Sequence, residues 1–313
     1  MHIMHRLFFA CAIALILFAP SLSARAALPP PLPTPASSFD AGSIHVDTYG
    51  TPGKRAVIFI PGLTCGPWQW SGEISQFSGN YTVYALTLPG FDGRPAITTP
   101  LFTTVAADFW TMLQAHAIVK PVIIGHSLGG TLAILLAEQH SDRLGGAIAV
   151  DGLPIFPGME RMTADQRAQV GARMTATMTS ATTPEEFAAM EKSYVLPYLM
   201  TSPADIAAVA PLAARSDIAA AAAWTTEDVA LDLRPQLTSV TVPFLEIAPF
   251  DATFEAKVLP NAAAKRSYYE SLLANDPAAD VQIIEPSRHF IMYDQPQKLH
   301  AAIATFLRQH PPG

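Results

Sequence analysis

Two regimes of hydrophobic patterning divide this chain. In the first, short runs are apolar almost without interruption: 56–60 (AVIFI), 81–86 (YTVYAL), 122–124 (VII), 147–151 (AIAVD), 242–248 (VPFLEIA) and 281–285 (VQIIE). Continuous rather than alternating runs of this length predict strands covered on both faces. The run 43–49 (SIHVDTY) alternates instead, as an edge strand does. Amphipathic or Ala/Leu-rich stretches lie between the runs at 104–116 and after Ser127, and a last helix is predicted at about 296–309. Strand and helix therefore alternate, which predicts an α/β fold with a doubly wound, mostly parallel sheet. In the second regime, from 153 to about 230, no strand pattern appears. Ala- and Met-rich helical stretches broken at Pro184, Pro197, Pro203 and Pro211 predict a helical cap inserted into the sheet domain.

The N-terminus belongs to neither regime. His5 and Arg6 precede an apolar run at 7–19, and Ala24-Arg25-Ala26 offers a cleavage site, so residues 1–26 are expected to be a signal peptide. The run is short for a membrane span, and no stable membrane insertion is expected after cleavage. The protein is accordingly expected to be exported, to the periplasm or beyond. Residues 27–41, containing LPPPLPTP, are expected to be a Pro-rich tether, and residues 42–313 one large α/β domain that carries the helical cap. Loss of the leader removes Arg6 and Arg25 and no acid, taking the net charge from −7 to −9. An acidic chain argues against nucleic acid as a partner. Of the two cysteines only Cys65 then remains, so no intramolecular disulfide is available and Cys65 is read as a small core residue.

The chemistry gathers where predicted strands end. PVIIGHSLGGTLAILLAEQH (121–140) reads as a buried strand, a tight turn and a helix, with G-x-S-x-G at Gly125-His126-Ser127-Leu128-Gly129. Such a turn holds Ser127 in a strained backbone conformation and presents its hydroxyl at a helix N-terminus, where developing negative charge is favoured. A serine nucleophile needs a base and the base an orienting acid. His289, just past the 281–285 strand, is the base. Asp251, just past the 242–248 strand, is favoured as the acid because Ser…Asp…His is the commoner order. Asp151, at the end of the 147–151 strand, is the alternative. Glu246 and Asp294 are read as structural. Oxyanion donors are expected from the backbone N–H groups of Leu128, after the nucleophile, and Leu63, in the loop after 56–60. His126 is read as packing the elbow. Trp68 and Trp70 either line an acyl pocket or fill the core. Met159, Met162, Met174, Met178, Met190 and Met200 either form an adaptable apolar lid or ordinary cap core.

These motifs resemble the α/β-hydrolase fold, in the branch of esterase-like and haloperoxidase-like enzymes with a helical cap. The resemblance runs from about 43 to 308 and rests on Pro61-Gly62-Leu63, Leu88-Pro89-Gly90-Phe91, Gly125-His126-Ser127-Leu128-Gly129-Gly130, Asp251 and His289-Phe290. It implies Ser127 as nucleophile, Asp251 as acid, His289 as base, and Leu63 and Leu128 as oxyanion donors. One departure stands out: relatives usually carry His before the oxyanion glycine, and this chain has Pro61. The expected activity is cleavage of carboxylic esters through an acyl-enzyme, without metal or organic cofactor. The expected substrate is small, uncharged and moderately hydrophobic. The same triad on an amide, lactone or C–C bond, and a non-catalytic binding protein on the hydrolase fold, are the alternatives.

Overall fold

A computed structural model describes residues 30–98 and 100–311. In chain order it contains β1 (Ser37–Ala41), β2 (Ile44–Tyr49), β3 (Ala56–Ile60), α1 (Ser71–Phe77), β4 (Thr82–Thr87), α2 (Leu101–Ala115), β5 (Val122–His126), α3 (Leu128–His140) and β6 (Gly146–Val150). The helical insertion follows as α4 (Ala164–Met178), α5 (Pro184–Met190), α6 (Leu196–Leu199), α7 (Pro203–Ala213) and α8 (Ile218–Ala230). The chain then returns to the sheet with β7 (Phe244–Pro249), α9 (Ala252–Glu255), α10 (Ala262–Leu272), β8 (Ala279–Ile284), α11 (Ile291–Asp294) and α12 (Pro296–Gln309).

The eight strands form one sheet in the order β1-β2-β4-β3-β5-β6-β7-β8. β2 runs antiparallel to both β1 and β4, and every pairing from β4 to β8 is parallel. The fold class read from the sequence is therefore the one found. Strands β3, β5, β6 and β7 are buried at every residue, which is why their sequences do not alternate. Successive residues still face opposite sides. Ile58 and Ile60 join the apolar layer that contains α2 and α3, while Val57 and Phe59 join the layer that contains α1 and α12. The order of the parallel strands places the ends of β5 and β6 side by side at the middle of the sheet's carboxyl edge, where ligands bind in open α/β sheets.

The residues expected to be a signal peptide, 1–26, lie outside the described residues. Two differences from the sequence expectations have local causes. The tether, expected to run to 41, is a strand over its last five residues: β1 pairs with β2 and takes the sheet edge from 43–49. SSFDA has no apolar alternation to betray it; it is held by its ladder and by Phe39, whose ring stacks at 3.7 Å on His116 of the segment after α2. Helix α10 has no strong apolar stripe and starts on a side-chain cap, with Asn261 accepting from the Ala264 N–H at 2.9 Å.

The loop after β3 turns through Trp68, Gln69 and Trp70 into α1. Both indoles are core, Trp70 packing 5.1 Å from the Phe59 ring, and neither lines the cavity that Ser127 and His289 border. Cys65 is buried with them. Glu73, in the first turn of α1, is 3% exposed, and burial pushes its carboxyl up to about 8. A carboxyl that holds its proton more tightly when folded gives stability that is whole below its ordinary value of 4.5 and is lost as pH rises through about 8. Glu73→Gln removes that loss. Calorimetry should find the variant's Tm above the wild type's by several degrees at pH 8.5 and close to it at pH 5. An offset equal at both pH values would contradict the buried, proton-bound Glu73.

Candidate active site

Three backbone segments meet at Ser127. The residue has φ 52° and ψ −122°, a conformation that costs a non-glycine residue about 1–3 kcal/mol. The surroundings over-determine it. Ser127 N–H donates to Val150 O of β6 at 3.0 Å, and its carbonyl accepts from Gly130 N–H (2.7 Å) and Thr131 N–H (2.9 Å). A Cβ on Gly125 would stand 1.9 Å from Gly129 O, and one on Gly129 would stand 2.5 Å from both Ile60 O and Pro61 O. The glycines of the motif are thus required by the close approach of β5, α3 and the β3 loop. Leu128 opens α3, so its N–H belongs to the first-turn group without an intrahelical acceptor. The β3 loop brings Gly62 onto the elbow, where a Cβ would stand 2.7 Å from His126 Nδ1, and Gly62 N–H donates to Gln69 Oε1 at 2.9 Å.

His289 lies in the loop between β8 and α11 and borders the same cavity as Ser127. Its Nδ1–H donates to Asp151 Oδ2 at 2.5 Å. The acid beside the imidazole is therefore Asp151, and the expectation for Asp251 is corrected. Asp151 follows β6, the strand next to β5, and its N–H is tied to Ile247 O of β7 at 2.9 Å. Asp251 stands one strand farther out and is already engaged. It caps α9, accepting from Thr253 N–H (2.9 Å) and Thr253 Oγ1 (2.6 Å), and its other oxygen accepts from Arg288 Nε at 2.9 Å. The arginine next to the histidine has taken the aspartate that chain order assigned to the histidine.

Burial pushes the Asp151 carboxyl up. The opposing charge and hydrogen bond of His289, the charge of Lys265 and the Tyr269 hydroxyl outweigh it and hold the group at about 2. Tyr269, on α10, donates to Asp151 Oδ1 at 2.5 Å, so both carboxylate oxygens are occupied. Glu246, on β7 behind Asp151, is fully buried. Burial and then the Asp151 charge raise its carboxyl well above the ordinary range, so it stays protonated. Two neighbouring acids are thereby driven apart, one ionised and one neutral.

The cavity above Ser127 and His289 has a volume of about 400 Å³. Leu153, Ile155, Phe156, Leu199 and Phe254 give it an apolar wall. None of the six methionines singled out in the sequence borders it; Met159 and Met200 are buried elsewhere and Met162 and Met174 are exposed. Charged groups that the sequence pattern does not foretell also reach it. Lys265 Nζ is bound to Glu255 Oε2 at 2.5 Å, and Arg288 is bound to Asp251. Asp228 of α8 also faces the cavity, and burial, opposed by the Thr131 side chain, raises its carboxyl to about 7. Asp228, Lys265 and Tyr269 come from helices whose contribution no short motif signals.

The loop carrying His289 is bound to the cap. Arg288 Nη1 donates to Pro197 O (2.5 Å), Phe290 N–H to Leu199 O (3.0 Å), and Asp294 accepts from Thr201 N–H (2.9 Å), Thr201 Oγ1 (2.6 Å) and Arg288 N–H (2.8 Å).

A strained serine between a buried strand and a helix, bordering one cavity with a carboxylate-paired histidine, defines a hydrolase-type site. The chain belongs to the alpha/beta hydrolase family, whose model matches residues 57–302. Among curated proteins it is similar to two 2-succinyl-6-hydroxy-2,4-cyclohexadiene-1-carboxylate synthases. That of Escherichia coli is 30% identical over 122 residues, 38% of this chain and 47% of the relative; that of Salmonella paratyphi A is 34% identical over 124 residues, 39% and 48%. The chain thus matches about half the length of these relatives. Among solved structures, the enol-lactonase from Burkholderia xenovorans superposes with a TM-score of 0.69 at 18% identity, over 87% of this chain and all of that one. A thermophilic esterase from Thermogutta terrifontis gives 0.68 at 20% identity, over 88% and 100%. At these identities the structures share the fold.

The two aspartates separate by substitution. Asp151→Asn should lower kcat of any Ser127-dependent turnover by about 10³–10⁴, because the amide no longer fixes the imidazole's tautomer or balances its charge. Asp251→Asn should cost less than about tenfold, and mainly in Tm, by loosening Arg288 and α9. The reverse order would return the acid's role to Asp251.

Proposed function

We propose that this protein is an exported serine hydrolase that cleaves carboxylic esters through an acyl-enzyme. The observation that carries the reading is the His289–Asp151 pair facing the same cavity as a nucleophile-elbow serine. Ser127 Oγ attacks the ester carbonyl as its proton passes to His289 Nε2. The Nδ1–H bond to Asp151 holds the imidazole and balances the imidazolium. The Leu63 and Leu128 N–H groups take the oxyanion. Collapse of the tetrahedral species expels the alcohol, which takes the proton from His289. Water, deprotonated by the same imidazole, then releases the acid and restores Ser127.

An uncharged, moderately hydrophobic acyl group fits the apolar wall. A carboxylate-bearing substrate, as in the name of the curated relatives, would want a free cation, and both cations that border the cavity are paired with carboxylates. A volume of about 400 Å³ is near the lower end of the ~300–1,000 Å³ usual for small-molecule pockets. Export is supported by the apolar run at 7–19 and the Ala-Arg-Ala sequence that follows it.

Hydrolysis of a p-nitrophenyl ester series from acetyl to palmitoyl tests the reading. Turnover should peak at a short or medium chain, fall steeply toward palmitoyl, and drop by at least about 10³-fold in Ser127→Ala. Labelling of Ser127 by a fluorophosphonate without turnover of any ester would move the reading to an amide, lactone or C–C bond. Failure to label would leave a non-catalytic binding protein.

A further inference from the structure

The proposed mechanism does not use His126, yet this side chain touches both the β3 loop and the loop that carries His289. It is 1% exposed, and its ring centroid lies 4.4 Å from that of His289. Its Nδ1 is 2.6 Å from Gln69 Nε2, and its Nε2 is 3.0 Å from the carbonyl oxygen of His289. Gln69, 1% exposed, accepts from Gly62 N–H through Oε1 at 2.9 Å.

The directions of these bonds admit one solution. The Gly62 amide donates, so the Gln69 atom facing it is the carbonyl oxygen, and the amide nitrogen must face His126. That nitrogen donates, so His126 Nδ1 is the bare acceptor and Nε2 carries the hydrogen, which donates to the His289 carbonyl. The four polar side-chain atoms of Gln69 and His126 then each have a partner. The β3 loop that carries Leu63, the elbow that carries Ser127 and the loop that carries His289 are thereby joined through two side chains. A Cβ on Gly62 would fall 2.7 Å from His126 Nδ1, so the loop's close approach needs glycine there.

We propose that Gln69 and His126 are positioning residues, a one-way hydrogen-bond relay that sets the oxyanion loop and the His289 backbone against the nucleophile elbow and holds His126 as the neutral Nε2–H tautomer. Protonating His126 would set Nδ1–H against the Gln69 NH2 and break the relay there, or at Gly62 if the amide turned over, while the Nε2–H bond to His289 remained. Burial, and then the charge of His289, push the His126 ring well below the ordinary imidazole range. The titratable groups facing the ring are His289 and Asp151; Gln69, Trp70 and Phe290 complete its surroundings and are uncharged. A neutral ring keeps a second positive charge away from the imidazolium that forms on His289 during acyl transfer. Gln69 also supplies an anchor for the β3 loop in a chain whose residue before the oxyanion glycine is Pro61.

The inference rests on the serine-hydrolase reading for its kinetic consequences but not for its geometry, and two measurements separate them. The first is histidine side-chain ¹⁵N NMR of the full protein. His126 should give the neutral Nε2–H pattern and show no titration from pH 5 to 8. In Gln69→Met, which keeps the volume and removes both bonds, it should exchange between tautomers or titrate. An Nδ1–H pattern or an ordinary titration in the wild type overturns the relay whether or not the protein turns over esters. The second is kinetic. Gln69→Met should lower kcat and the fluorophosphonate labelling rate together, by about 10–100-fold, with KM within about threefold, because the ground-state pocket is untouched. Gln69→Glu should recover most of kcat at low pH, where a protonated carboxyl can accept from Gly62 and donate to His126. It should then lose activity on a new basic limb as that proton leaves. Unchanged kcat in Gln69→Met, or a Gln69→Glu pH profile that parallels the wild type's, overturns the positioning role.

Discussion

The structure depends on a steric constraint: at the elbow, no atom beyond Cα is tolerated at Gly125 or Gly129. The carbonyl of Gly129 stands where a Gly125 Cβ would be, and the end of β3 stands against Gly129. Because these backbones touch, the strained φ of Ser127 is not free to relax, and the first-turn amides of α3 stay beside the loop that carries Leu63. The central strands supply the force that holds the contact. They are buried along their whole length, and burying each large aliphatic or aromatic side chain contributes about 1.5–3 kcal/mol. That is enough for a few residues to offset the strain at one.

Charge at the site is apportioned by the same packing. Asp151, Glu246 and His126 all lie in low-dielectric surroundings, yet they take different protonation states. Asp151 is ionised because the His289 and Tyr269 hydrogen bonds and the Lys265 charge help to outweigh its burial. For Glu246, burial and then the Asp151 charge outweigh the Lys265 charge and the Asp151 and Gly152 amides, so it keeps its proton and the strand behind the site adds no second negative charge. His126 is neutral because its one acceptor nitrogen faces a donor. Of these groups and His289, only the His289 imidazole is left to change charge during a reaction, beside a carboxylate that stays ionised.

Much of this was legible in the sequence. Uninterrupted apolar runs located the parallel strands, and the glycine spacing around Ser127 located the elbow, because both are local consequences of burial and backbone strain. The position of His289 followed from its place after the last strand. The identity of its acid did not. Asp151 and Asp251 both end central strands, and the choice between them is made by Arg288, whose side chain reaches Asp251 only in three dimensions. Strand β1 was hidden because its residues are polar and its partner supplies the order. The relay through Gln69 was hidden for a similar reason: a glutamine between two tryptophans reads as a core turn until its amide is seen between a glycine N–H and an imidazole. Helix α10, which brings Lys265 and Tyr269 to the site, carries too weak an apolar stripe to announce itself.

The bonds between the cap segment 197–201 and the His289 loop make this corner of the cap part of the catalytic apparatus rather than a cover for it. Arg288, Phe290 and Asp294 reach across to α6 and the residue pair after it, so the two segments move as one piece. A guest molecule that forces α6 outward drags the imidazole from its working position in the same stroke. On the proposed hydrolase reading, discrimination against oversized guests would then need no hole that excludes them, because a guest that displaced α6 would also displace the base.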